Sequence, residues 1–239
     1  HPNSNAAYKI ESVDGYNPIF LQSYANFVTY WQQEKFSTTG SFNRIIIPQK
    51  YDSNIPDVLN VKYVLSLEDI NDPKLKKIMD EGQTKLYENQ NSLQRAFFID
   101  EIKKVSSDEK LVSNITSKTS DLGKIAFSKD FEFSQSSGKS SLNIKNYSEN
   151  SIAVNAFTET NKPLVFSTPY YPGWKAYIDN QQVPINTVDY LLMSIIVPKG
   201  NHQIEFRFTS QTFNNGIYFA LLGFGIYILT IFLWKKKFQ

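Results

Sequence analysis

Cysteine is absent from this sequence. That removes disulfides, thiolate metal sites and cysteine nucleophiles together. Histidine is almost absent: His1 and His202 are the two, too few for a zinc site of ordinary ligand type. No G-x-S-x-G elbow, Walker loop or H-E-x-x-H motif occurs, so no self-contained hydrolase, nucleotide or zincin site is written here. No cofactor is expected. A net charge of +2 lacks the clustered basic face that a nucleic-acid partner requires. Residue 1 is His, and no basic, apolar, small-residue leader follows it. The chain therefore reads as cut from a longer one, whose upstream part delivers it to a membrane.

Apolar residues make up 41% and charged residues 20% of the 239 positions, a composition that folds around a core. No charged residue lies between Phe208 and Trp234. The apolar run Gly216–Trp234 would span about 28 Å as a helix, close to the hydrocarbon thickness of a bilayer. Tyr218 and Trp234 stand near its ends, where aromatic rings favour the interface, and Lys235, Lys236 and Lys237 follow directly. Positive flanks stay in the cytoplasm, so the reading is a transmembrane helix over 214–234 and a cytoplasmic tail over 235–239. Residues before about 212 then lie outside, and the lipid bilayer is a partner.

The outer part divides into three stretches. In residues 1–35, Asn17 and Pro18 read as the N-cap and first position of a helix. Tyr16, Phe20, Tyr24, Phe27 and Trp31 would then form an aromatic stripe on one face. That stripe packs either on a neighbouring sheet or against the membrane, although its polar face lacks the lysines of interfacial helices. Residues 36–123 read as a small α/β unit with a polar linker. It has strands at Arg44–Ile47, Val61–Leu67, Lys85–Glu88 and Arg95–Ile99, and a helix from Pro73 that Asp72 caps and Gly82 closes. Residues 106–123 are the linker or a short surface helix. Residues 124–210 read as an antiparallel β-sandwich, with alternation at Leu142 and Ile144, at Ile152, Val154 and Ala156, and at Ile204, Phe206 and Phe208. A polar hinge, Thr209–Asn215, then leads into the membrane helix. The fold class is α+β: a small α/β unit, a sandwich and one C-terminal transmembrane helix.

Four stretches carry a family resemblance: GYNPIFLQSYANF (Gly15–Phe27), LNVKYVLS (Leu59–Ser66), KLYENQNSLQRAFFIDEI (Lys85–Ile102) and YYPGWKAYIDNQQVPINTVDYLLMSIIVPKGNHQIEFRF (Tyr170–Phe208). Together they resemble the C-terminal part of bacterial YfhO-like multi-pass membrane proteins, which are related to the GT-C glycosyltransferases. Gln94 stands where that family usually has Pro, and Asn180 where it usually has Gly. The resemblance implies transfer of a sugar from a polyprenyl-phosphate donor to a cell-envelope glycan such as teichoic acid. It also implies upstream membrane helices of the same polypeptide as packing partners. The catalytic acid it implies belongs to a first outer loop upstream of His1, so no catalytic residue is carried over.

Three side chains stand out as ligand candidates. Tyr170, Tyr171 and Trp174 flank a Pro172-Gly173 turn, and aromatic rings offer flat faces on which the C–H faces of sugars stack. Trp174 also suits core packing. The acidic residues Glu68, Asp69 and Asp72 read as a solvated loop with a cap. Asp100 and Glu101, as strand neighbours, point to opposite faces. His202 reads as a hydrogen-bonding partner of loop backbone. The alternative function is a membrane-anchored module that binds a glycan or a protein without catalysis.

Overall fold

The computed structural model describes residues 4–16, 21–33, 45–46 and 50–237. Its architecture is mixed α+β with antiparallel sheets and a single long C-terminal helix among these residues. A short helix, α1 (Ser4–Ala7), comes first. Strand β1 (Gly15–Tyr16) pairs with β2 (Ile45–Ile46), so Tyr16 belongs to a strand and not to the helical stripe. The helix α2 (Gln22–Gln33) buries Phe27 and Trp31, and Tyr24 packs beside them. The stripe therefore faces the interior of this chain and not a bilayer. Asn17, Pro18, Phe20, Arg44, Ile47 and Pro48 lie outside the described residues.

After α3 (Ile55–Val58) come β3 (Tyr63–Ser66), β4 (Leu75–Glu81) and β5 (Thr84–Asn89), a three-stranded sheet in the order β3-β5-β4. The helix expected from Pro73 is thus a strand. Leu75, Ile78 and Met79 sit at helical spacing because a bulge between Lys77 and Met79 breaks the two-residue alternation. Gly82, at φ +59, opens a two-residue hairpin turn to Thr84 instead of ending a helix. Asp72 shapes the approach: its carboxylate accepts from the Lys74 N–H at 2.9 Å. Asp57, buried in α3, ties this sheet to the main body. It accepts from Lys74 Nζ at 3.0 Å and from Asn89 Nδ2 at 2.7 Å.

Next are β6 (Ala96–Phe98), β7 (Glu101–Lys104), α4 (Asp108–Thr116) and β8 (Ile125–Ser128). The Ser107 side chain caps α4 by accepting from the Lys110 N–H. This helix buries Leu111, Val112 and Ile115. Strand β8 runs parallel to β7, so residues on either side of position 123 share one sheet.

The remaining strands are β9 (Ser140–Ser148), β10 (Ser151–Thr158), β11 (Lys162–Pro169), β12 (Trp174–Ile178), β13 (Gln181–Val183), β14 (Asn186–Val188), β15 (Leu192–Val197) and β16 (Gly200–Phe208). They form a five-stranded sheet, β13-β12-β16-β10-β9, and a four-stranded one, β14-β15-β11-β6. The two sheets face each other across one core. Ile152, Val154, Ala156, Ile204 and Phe206 meet Leu164, Phe166, Met193 and Ile195 there, and the Phe166 and Phe206 rings are 4.3 Å apart. The far side of the four-stranded sheet carries a second core. Val165 and Leu192 pack there with Phe27, Trp31, Ile55, Leu111, Val112 and Phe127. The order of layers is therefore sheet, sheet, helices. Asp179 and Asn180, at φ +50 and +67, form a tight turn between β12 and β13.

Helix α5 (Gln211–Lys237) follows β16 almost at once. Residues 211–215, expected to be hinge, are already helical, and Thr209–Ser210 alone separate strand from helix. Within α5, Gln211–Ile231 is long and apolar enough to cross a membrane, and none of it is buried in this chain. Leu221, Leu222, Phe224, Ile226 and Leu229 are more than half exposed, which suits hydrocarbon and not water.

Asp189 links the second core to the loop between β14 and β15. It is fully buried, and its Oδ1 accepts from the Phe127 N–H at 2.9 Å while its own N–H donates to the Phe127 carbonyl at 2.7 Å. Its Oδ2 has no partner. Burial pushes the carboxyl up to about 7. The folded chain then keeps a proton on Asp189 where the unfolded chain has lost it. Stability from this group is complete below about pH 4 and declines as pH rises to about 7. Asp189→Asn should therefore match the parent near pH 4. It should exceed the parent above pH 7 by on the order of a few kcal/mol. Thermal melting of the detergent-solubilised chain from pH 4 to 8 measures this; an equal difference at both ends would show an ordinary carboxylate.

Candidate functional site at the root of the membrane helix

The Tyr170–Trp174 turn is built by its neighbours on β15 and β16. Strand β11 ends at Pro169, and the Tyr170 N–H donates to the Leu191 carbonyl at 2.6 Å. The Trp174 N–H then returns to the Tyr171 carbonyl at 3.2 Å, which closes the turn around Pro172 and Gly173. Gly173 has φ +124, a conformation that side chains disfavour. A Cβ there would lie 2.8 Å from Phe208 Cε2 and 2.9 Å from the Thr209 carbonyl oxygen. The backbone approaches that closely because the Thr209 N–H donates to the Gly173 carbonyl at 3.0 Å. Trp174 also pairs with Phe208 across the sheet. The turn is thus fastened to the last residue of β16 and to Thr209, immediately before α5 begins.

The three candidate side chains take different places. Trp174 is half-buried against the sandwich core, with its ring 5.6 Å from that of Phe208. Tyr171 is 44% exposed and its ring lies 5.9 Å from the same Phe208. Tyr170 is 36% exposed and makes no ring contact among the described residues. Phe208 therefore joins Tyr171 and Trp174 into one aromatic cluster, with Tyr170 beside it in sequence.

The acidic residues take structural roles. Asp69 accepts from Lys77 Nζ at 2.9 Å, and that hydrogen bond holds its carboxyl below the usual range. Asp100 pairs with Lys162 at 2.8 Å. His202 bonds a side chain as well as backbone: Nδ1 lies 2.6 Å from Asp179 Oδ2 and Nε2 lies 3.4 Å from the Lys199 carbonyl. Both ring nitrogens therefore face acceptors within the fold. Among the described residues no group of three or more His, Asp or Glu could hold a metal ion.

A second feature escaped the sequence reading. An open cleft of about 500 Å³ crosses the outer face of the five-stranded sheet, lined by Asn143, Asn155, Phe157, Asn201 and Gln203 among others. Alternation marks these positions as outward-facing, but their meeting depends on strand order and register.

Residues 129–220 match the family model described as "Bacterial membrane protein YfhO". The match runs through the sandwich and into the first turns of α5. No curated protein and no solved structure matches the chain significantly.

Gly173→Ala should be severe, since both φ and the contacts to Phe208 and Thr209 oppose a methyl group. A loss of more than about 2 kcal/mol is expected. Gly82→Ala is the control: φ is also positive, but nothing lies within 4 Å of the added Cβ. It should cost about 1 kcal/mol. Melting midpoints of the two variants should therefore rank well apart, and equal midpoints would mean that the turn gives way.

Proposed function

We propose that this chain, whose C-terminal part is the YfhO-like region of a bacterial membrane protein, is the extracytoplasmic cap of an enzyme that transfers a sugar from a polyprenyl-phosphate donor to an envelope glycan such as teichoic acid. The observation that carries the reading is the position of the aromatic turn. Tyr171, Trp174 and Phe208 cluster two residues before a helix that can cross a bilayer. A polyprenyl-phosphate presents its sugar at the membrane surface, and aromatic side chains favour that interface. Exposed Tyr170 and Tyr171 would contact the sugar, while Trp174 holds the turn on the sandwich. Asp57, Asp69 and Asp100 are engaged in ion pairs with lysines, and Asp189 is buried away from the turn. This supports the view that the catalytic acid comes from upstream membrane-proximal sequence of the same polypeptide. In this reading residues before about 212 lie outside and the C-terminal lysines lie in the cytoplasm.

The alternative is a membrane-anchored module that binds a glycan without catalysis. The polar cleft on the outer sheet favours it. The two readings part on transfer itself.

The assay is passage of labelled sugar from a polyprenyl-phosphate donor to teichoic acid in membranes carrying the full-length parent. Tyr170→Ala and Tyr171→Ala should lower transfer roughly tenfold, about 1.4 kcal/mol each, with the protein level unchanged. Trp174→Ala should lower the protein level instead, since truncating this ring costs about 2–4 kcal/mol. Normal transfer by both tyrosine variants would remove the turn from the site, and no transfer by the parent would leave the binding module. Orientation is read separately, because the chain lacks cysteine. Ser148→Cys should react with an impermeant maleimide on intact cells, and Gln239→Cys only after permeabilisation. The reverse pattern would invert the topology.

A further inference from the structure

The outer face of the five-stranded sheet carries an unusual row. Asn155 on β10 pairs with Asn143 on β9 and with Gln203 on β16. Cross-strand partners share a face, so three amides stand side by side over about 10 Å. No side-chain hydrogen bond joins any of the three to another described residue. Each therefore offers both a donor and an acceptor outward. Along the strands, about 7 Å away on one side, lies the row of Ser141, Phe157 and Asn201. About the same distance on the other side lies Tyr177, opposite Glu205.

Phe157 is the informative member. It is half-buried on the polar face, and it packs in neither hydrophobic core. Its ring lies on the sheet surface beside the amide row, outside both cores. Its cross-strand partners, Ser141 on β9 and Asn201 on β16, are short and leave space around it. The resulting cleft, about 500 Å³, falls in the range that small ligands occupy. A second cleft of about 110 Å³ continues it past Asn155 and Gln203 towards Tyr177.

We propose that this cleft binds an uncharged glycan chain. Vicinal sugar hydroxyls are paired donors and acceptors, and the side-by-side amides of Asn143, Asn155 and Gln203 match them. The Phe157 ring supplies a flat apolar surface for the C–H face of one sugar. The amide row itself carries no charge; beside it Glu205 is paired with Arg207, and Lys145 lines the edge of the second cleft. One lysine at the edge is little to hold a polyanion, so the row suits a neutral chain. The proposal deepens the sugar-transfer reading by narrowing its acceptor: an uncharged envelope glycan docks here, apart from the aromatic turn, and a polyanionic teichoic acid does not. It depends on that reading only for the source of the glycan.

The test uses the whole chain in lipid nanodiscs, with maltohexaose, cellohexaose and chitohexaose as neutral probes and poly(glycerol phosphate) as the anionic comparison. Calorimetry should show saturable binding of at least one neutral hexasaccharide and weaker binding of the polyanion. The double substitution Asn143→Ala with Asn155→Ala, at exposed and half-exposed positions, should weaken that binding at least tenfold without moving the melting midpoint. Phe157→Leu should weaken it as well. Binding of none of the three, binding of the polyanion alone, or undiminished binding by the double variant would overturn the proposal. The sugar-transfer reading is tested independently. A chain that binds a hexasaccharide through the amide row, in a parent that transfers no sugar, keeps this site and loses that reading. A free hexasaccharide has neither lipid nor phosphate, so its binding identifies an acceptor-type ligand and not the donor.

Discussion

The structure depends on one constraint: the central strands of the four-stranded sheet are buried on both faces. In β11, Leu164 and Phe166 point into the sandwich core while Val165 points into the helical core. In β15, Leu192 faces the helices while Met193 and Ile195 face the sandwich. Strands covered on both sides read as continuous apolar runs, and LVF and LMSII are such runs. Each of these side chains stabilises the fold by roughly 1.5–3 kcal/mol on burial, and the two cores share a single backbone. Neither core can loosen without exposing the other. Lys162 shows how strictly this holds at the strand's start. Its stem is buried, and its ammonium reaches Asp100 at 2.8 Å and the Gly138 carbonyl at 3.1 Å.

On that platform, strand β16 connects the features that bear on function. Ile204 and Phe206 anchor its inner face in the core. Asn201 and Gln203 project from its outer face into the polar cleft. Phe208, at its end, seats Tyr171 and Trp174. After two more residues α5, long and apolar enough to cross a membrane, begins. Five residues separate Gln203 from Phe208, about 17 Å along an extended strand. The cleft and the aromatic turn are therefore held at a fixed spacing by hydrogen-bonded sheet and not by a loop.

Much of this was legible in the sequence, for physical reasons that also mark where legibility ends. Alternation at Ile152, Val154 and Ala156, or at Ile204 and Phe206, is a local consequence of one face being buried. The charge-free run before Lys235 matches the thickness of a bilayer, and the structure makes it one continuous unburied helix. The stretch Leu75–Glu81 misled because its bulge places Ile78 out of phase, and the apolar spacing then imitates a helix. The tightening of Gln211–Asn215 into helix was hidden because polar residues in a first helical turn look like a linker. The candidate turn could be named, but Phe208 as its seat could not, since Trp174 and its cross-strand partner are 34 positions apart in the chain. The amide row was hidden for the same reason: Asn143, Asn155 and Gln203 are each ordinary outward-facing residues until register sets them side by side.

The two surfaces differ in chemistry in a way that suits different ligands. The turn is aromatic, exposed and next to a helix long and apolar enough to cross a membrane, which suits a ligand in the interfacial layer. The cleft is amide-rich and lies further along the strand, which suits a ligand dissolved in water. A reaction between a lipid-borne donor and a water-borne acceptor needs both partners brought to one place from two phases, and orienting them replaces a costly loss of freedom at the moment of reaction. A sheet that holds an aqueous glycan about 17 Å of strand away from the aromatic turn would supply one side of that encounter. In the proposed role the domain is then a ruler between two phases: its cores fix the length, and its two ends differ in chemistry because the phases do.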